Sequence, residues 1–209
     1  MAKETNARDL KLIQYLNEAY GKERELETAL DAHIAMAASR PPYKKRLQQH
    51  KKETKDHARR VERRIKQLGG RADTVPGPDA VAEAASAVQT VAGKAVAAAK
   101  GQFHALRGTG EEEKLLKNAK TEYWNEAEEI ATYSAIEALA EAVGDRETAQ
   151  LARAIKREEE RMRAFLERLI PQLAKAVARA EIPAAERNGG RRRRTSTRRG
   201  RRRSGAASR

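Results

Sequence analysis

At 209 residues the chain is long enough for one domain with a sizeable core and a modest appendage. Aromatic residues make up only 4 % while Ala, Glu, Lys, Arg and Leu dominate, a composition suited to helices, and the absence of Cys excludes disulfides, thiolate metal sites and a cysteine nucleophile. The net charge of +14 is unevenly spread: Arg187 to Arg209 contains 11 arginines and no acid, which leaves the first 186 residues at only +3.

Met1 to Thr5 lacks the apolar run of a signal peptide, and no stretch approaches the roughly 20 apolar residues of a membrane span, so a cytoplasmic location is expected. Leu10, Ile13, Leu16, Tyr20, Leu30 and Ile34 recur at helical spacing after an Asn6 cap, and Pro41-Pro42 forbids continuation of that first helix. Tyr43, Leu47, Val61, Ile65 and Leu68 mark a second helix, closed by Gly69-Gly70 and followed by a Pro-Gly-Pro connection. Asp79 to about Leu106 is Ala-rich, with small side chains that allow close packing, and reads as a crossover helix rather than a membrane-surface one. Glu111 to Glu113 supply the acidic first turn of a third long helix reaching Gly144. Asp145 caps a fourth, which carries Leu151, Ile155, Met162, Phe165, Leu166 and Leu169, is expected to kink at Pro171 and ends by Pro183.

A short connection between helices three and four and a long one between two and three predict an all-α, ferritin-like four-helix bundle with an additional crossover helix. The domain organisation expected is a bundle over residues 1–183 and a disordered arginine-rich tail over 184–209.

Acids interrupt the apolar stripes, and an ionised carboxylate in a bundle core is costly unless paired or metal-bound. Glu23 and Glu27 fall close to the stripe of helix one. His50, Glu53 and His57 lie along one edge of the stripe of helix two. Glu126 and Glu129 are one turn apart beside Ile130 and Tyr133, while Glu158 and Glu159 straddle the stripe of helix four and Glu160 points away. Carboxylates and imidazoles from facing helices suit two iron or manganese ions. A single inward Glu is more simply a chance placement in so Glu-rich a sequence; the recurrence on four helices carries the metal reading. His33 and His104 have no such company and read as structural or exposed.

These residues resemble the YciF-like stress proteins of the ferritin-like superfamily. The resemblance rests on Tyr20-Gly-Lys-Glu23-Arg-Glu-Leu26, His50-Lys-Lys-Glu53-Thr54, Glu126-Ala-Glu-Glu129-Ile-Ala-Thr-Tyr133 and the Glu158-Glu159-Glu160 run, and it covers roughly residues 8 to 172. It implies a ferritin-like bundle, often dimeric, with a di-iron centre and a stress-linked role. By position it implies Glu23, Glu53, Glu126, Glu129 and Glu159 as ligands. Helices two and four of such bundles often carry Glu-x-x-His, whereas here Asp56 follows Glu53 and Met162 follows Glu159 at that spacing. His57, one position later, is the substitute on helix two; Met162 suits hard iron poorly, which leaves a depleted site as the alternative.

The segment after Asn188 carries Arg191, Arg192, Arg193, Arg194, Arg198, Arg199, Arg201, Arg202 and Arg203 among Thr, Ser and Gly, with no apolar anchor. Guanidinium groups bind phosphate bidentately, so the tail is expected to bind nucleic acid through its backbone without sequence preference, placing the protein at the nucleoid. The absence of interleaved aromatics argues against base stacking. The function expected is a ferritin-like stress-associated protein with a di-metal centre and a nucleic-acid-binding tail. Its rivals are a non-enzymatic nucleoid- or RNA-associated protein and a di-iron oxidase or peroxide-handling enzyme with an incidental tail. No Ser-His-Asp set, phosphate-binding Gly loop or CxxC motif points to other chemistry.

Overall fold

The computed structural model describes residues 6–73 and 110–187; the expected crossover helix and the arginine segment lie outside them. Four long helices form: α1 (Ala7–Met36), α2 (Pro41–Gln67), α3 (Glu111–Ala142) and α4 (Arg146–Glu181), followed by one further turn, α5 (Ala184–Arg187). No strand occurs among the described residues.

Local chemistry sets the ends. The Asn6 side chain accepts a hydrogen bond from the Asp9 backbone N–H at 2.8 Å and caps α1. Pro41 opens α2, where its missing N–H costs nothing. α2 and α3 both close on a glycine with positive φ, Gly69 at 86° and Gly144 at 74°. In each, the next residue's N–H reaches back to the carbonyl five positions earlier: Gly70 to Ile65 at 2.9 Å and Asp145 to Ala140 at 2.8 Å. Asp145 then caps α4 through the Thr148 N–H at 3.0 Å. α4 continues through Pro171 to Glu181, with the proline on its exposed side, so the Glu167 carbonyl that loses its helical donor faces water.

Cross-helix contacts fix the topology. α1 pairs with α2 and α3 with α4 through short turns, while α1 packs on α3 and α2 on α4. Arg64 near the end of α2 holds Asp145 at the start of α4, with both carboxylate oxygens 2.7 Å from Nη2. Arg40, just before α2, donates to Glu112 at the start of α3 at 3.3 Å. α2 and α3 therefore run parallel, with Gln67 and Glu111 at opposite ends of the bundle. That connectivity is ferritin-like rather than up-and-down, as the loop lengths predict.

The core has two apolar halves. One gathers Leu12, Leu16, Val61, Ile65, Tyr133, Ile136, Ala152 and Ile155; the other gathers Leu26, Leu30, Tyr43, Leu47, Leu115, Met162, Leu166 and Leu173. Between them every long helix contributes buried polar side chains: Glu23 from α1, His50, Thr54 and His57 from α2, Glu122, Glu126 and Glu129 from α3, and Glu159 from α4. A polar layer thus divides the core in the middle of the bundle.

Candidate metal centre

Each helix places its polar residues by periodicity. On α1, Glu23 continues the row Leu12, Leu16, Ala19 toward Leu26 and Leu30. On α2, His50 and His57 are two turns apart on the buried face, and on α3 Glu122, Glu126 and Glu129 follow the spacing i, i+4, i+7. On α4, Glu159 lies between Ile155 and Met162, while Glu160 is exposed.

Two groups of donor atoms converge. His50, Glu126, Glu129 and Glu159 form one, Glu23, His57 and Glu159 the other, and within each group the candidate ligand atoms lie within 4.8 Å of one another. Glu159 belongs to both and divides its oxygens: Oε1 lies 2.7 Å from His57 Nδ1, Oε2 3.9 Å from His50 Nδ1. His50 Nε2 lies 2.9 Å from Glu126 Oε1, and His57 Nδ1 lies 3.4 Å from Glu23 Oε1.

These contacts are close but mostly not aligned as hydrogen bonds. Both ring nitrogens of His50, Nδ1 of His57 and both oxygens of Glu126, Glu129 and Glu159 are buried without a hydrogen-bond partner. Unpaired buried polar atoms are rare and costly, and so many at one place, pointing toward common centres, match a cation-binding cavity better than a network of paired side chains. The donors are hard carboxylates and imidazoles, the set that suits iron or manganese.

Further groups orient these. His57 Nε2 donates to Glu158 Oε2 at 2.9 Å, which leaves Nδ1 free to face the centre, and Arg60 holds Glu158 from behind at 3.2 Å. Glu53 stands beside His50 without a hydrogen bond to it: its Oε2 is 3.6 Å from His50 Nδ1 and accepts from Arg46 at 2.9 Å. Tyr133 donates its hydroxyl to Glu23 Oε1 at 2.5 Å.

The titration behaviour follows from burial and charge. Burial alone would favour neutral His57, but Glu159 and Glu23 beside it outweigh that and raise its pKa to about 11. Burial likewise opposes charge on His50, yet the Glu126 carboxylate raises it well above the usual range. Burial pushes Glu126 up to about 8 against the pull of His50. Burial, compounded by Glu23 and Glu159, pushes Glu129 well up. Burial raises Glu23 too, whereas Glu159, although buried, is held low by His57 and His50.

Of the ligands expected from sequence, Glu23, His57, Glu126, Glu129 and Glu159 lie in the two groups. Glu53 lies outside them: Arg46 and Gln49 draw its carboxylate toward the surface, and it titrates near 2 because those partners and His50 overcome its partial burial. His50 stands in the group instead. Glu27 is turned outward to Arg24 and Lys55. Met162 packs with Leu166 in the apolar half of the core, so α4 provides only a carboxylate and both imidazoles come from α2. Sequence reasoning missed Glu122, fully buried against His33, although its position one turn before Glu126 was a usable signal. His33 is no isolated residue, since it also accepts from Asn118 at its carbonyl at 3.0 Å. His104 and the arginines from Arg191 to Arg203 lie outside the described residues.

The sequence matches DUF892, a domain of unknown function, in two segments, residues 7–104 and 95–179. The chain belongs to the DUF892 family. This DUF892 bundle is also similar to three solved structures. The protein XCC3681 from Xanthomonas campestris is 23 % identical with a TM-score of 0.64, covering 84 % of this chain and 99 % of that one. YcfI from Rhodopseudomonas palustris is 23 % identical, with a TM-score of 0.55 and coverage of 80 % and 97 %. The E. coli stress protein YciF is 21 % identical, with a TM-score of 0.59 and coverage of 81 % and 98 %. At these identities the likeness establishes a shared fold. A search of curated proteins returns no match.

Proposed function

We propose that the bundle is a stress-associated, two-cation metal centre, with Glu159 bridging a position held by His50, Glu126 and Glu129 and one held by Glu23 and His57. The observation that carries this reading is the shared carboxylate between two groups of buried donors that lack hydrogen-bond partners. Iron or manganese is the metal class the donor set favours, and a bound iron pair would supply redox chemistry toward oxygen or peroxide. The protein's own contribution is definable. Glu158 fixes the His57 tautomer, Glu53 and Arg46 flank His50, and Tyr133 holds Glu23. The apolar halves pack on either side of the layer, and its imidazoles and carboxyl groups give up protons as cations enter.

The arginine-rich segment supports a second element of the proposal, backbone binding to nucleic acid, which would bring the centre close to a polyanion that attracts ferrous iron. The folded body adds exposed cations along α2, among them Lys45, Lys52 and Arg63. A non-enzymatic nucleoid- or RNA-associated role with a depleted metal site is the alternative, and Met162, a poor ligand for hard iron at the position where such bundles often carry His, is the residue that favours it.

Thermal unfolding discriminates the two. Anaerobic ferrous iron or manganese at saturating concentration should raise the melting temperature by preferential binding to the folded state, and Glu159→Gln should remove that rise. An unchanged melting temperature with iron, manganese and zinc would favour the alternative.

A further inference from the structure

A groove of about 380 Å³ runs between α1 and α3. Its lining includes Trp124, 72 % exposed, His33, and Glu129, a buried member of the four-residue group. Lys22 and Glu128 form an ion pair at the same groove. Glu122 is fully buried behind His33: its Oε1 contacts His33 Nδ1, while its Oε2 is buried with no hydrogen-bond partner. Both oxygens of Glu129, in the same lining, also lack partners.

A His–Glu pair that served only to join α1 to α3 would not need a fully buried carboxylate with an idle oxygen, since an unsatisfied buried polar atom costs stability. An imidazole that lines an open groove and touches a buried carboxylate with one free oxygen, with another unpartnered carboxylate in the same lining, supplies instead the parts of a transit site for a hard cation. Water in the groove would complete the coordination of such an ion.

We propose that His33 and Glu122 form a third cation site, at which a divalent metal ion entering the groove between α1 and α3 is held before it passes to Glu129. Only the onward step rests on the buried layer being a metal centre; binding at His33 and Glu122 does not. The imidazole must lose any proton to ligate, and the cation replaces the direct contact between His33 and Glu122 by binding both. Release inward is favoured because Glu129 stands with Glu126, Glu159 and His50, a larger set of donors.

Trp124 is the chain's single tryptophan and lines the groove, so its emission reports on this site. Cobalt(II) is the probe, titrated into the full-length wild type, Glu122→Gln, His33→Ala and Glu159→Gln, with far-UV circular dichroism verifying the helical fold of each. The wild type should show saturable quenching of Trp124. Glu159→Gln should keep that quenching while losing cobalt from the buried layer. Glu122→Gln and His33→Ala should each weaken the half-saturation for quenching by at least tenfold, and cobalt should fill the buried layer more slowly but to the wild-type final content. Glu122→Gln is nearly isosteric, so it carries the test if His33→Ala fails to fold. The third site is refuted if the wild type shows no saturable quenching, or if quenching disappears in Glu159→Gln and persists unchanged in Glu122→Gln. Saturable quenching in the wild type that Glu122→Gln weakens, with no cobalt entering the buried layer even of the wild type, would retain the third site and overturn the metal reading of the layer instead.

Discussion

Asp145 does two jobs in one place, and its environment makes both measurable. It caps α4 and receives both oxygens' worth of contact from Arg64; although burial alone would raise its pKa, the Thr148 N–H and the guanidinium hold it below the usual carboxylate range. A carboxyl more acidic in the folded than in the unfolded state stabilises above its unfolded pKa, and that contribution fades as pH falls through the lower native value. Asp145→Asn should therefore cost about 1–3 kcal/mol at pH 7, and the gap from wild type should narrow at pH 3, as read by denaturant titration. Glu126 behaves in the opposite sense. Its native pKa of about 8 means that stability present below the usual 4.5 is lost as pH rises toward 8. In metal-free protein, Glu126→Gln should match wild type near pH 5 and melt at a higher temperature near pH 8; a variant less stable at pH 8 would show that the carboxylate is stabilised there. The inward direction of individual candidate donors was legible in sequence where helical phase alone decides it, as for Glu23 and Glu159. Glu53 and His50 were not separable by phase, because the deciding influence is Arg46, one side chain of the same helix competing for the carboxylate.

At the level of elements, the four long helices and their ends were readable because the signals are local: Asn6 and Asp145 as caps, Pro41 at a helix start, Gly69 and Gly144 at helix ends. Gly144→Ala should destabilise by about 1–2 kcal/mol, since its φ of 74° is a conformation that L side chains rarely adopt and no contact compensates. The division of the candidate donors among helices was less legible. Glu-x-x-His on helices two and four is one way to supply two imidazoles; here α2 supplies both, at positions two turns apart, and α4 buries Met162 among leucines. This arrangement makes the two cation positions separable by mutation. His50→Ala and His57→Ala should each reduce metal content from two ions per chain toward one, whereas Glu159→Gln should weaken both, by elemental analysis of protein loaded anaerobically with manganese. Equal loss of both ions in all three variants would contradict separate positions.

On the scale of the whole molecule, parallel α2 and α3 divide a two-part apolar core by a polar layer, and charge is concentrated far along the sequence from that layer. Among the described residues no helix is long and apolar enough to cross a membrane. The proposed nucleic-acid binding predicts that full-length protein shifts unrelated duplexes in a gel, with a slope of log K against log salt of about −5 if half of the terminal arginines each neutralise one phosphate. Truncation before Arg187 should weaken binding and flatten that slope. If the truncated chain bound as tightly with the same slope, recognition would belong to the helical body and its α2 cations. The central claim is the bridged centre, and manganese(II) electron paramagnetic resonance tests it most directly. Titration of metal-free protein should fill two positions in the buried layer of each chain, the second ion there giving the exchange-coupled spectrum expected of a shared carboxylate, with protons released as His57, His50, Glu126 and Glu129 become ligands. Isolated, uncoupled manganese at every loading, with the same stoichiometry in Glu159→Gln, would contradict it.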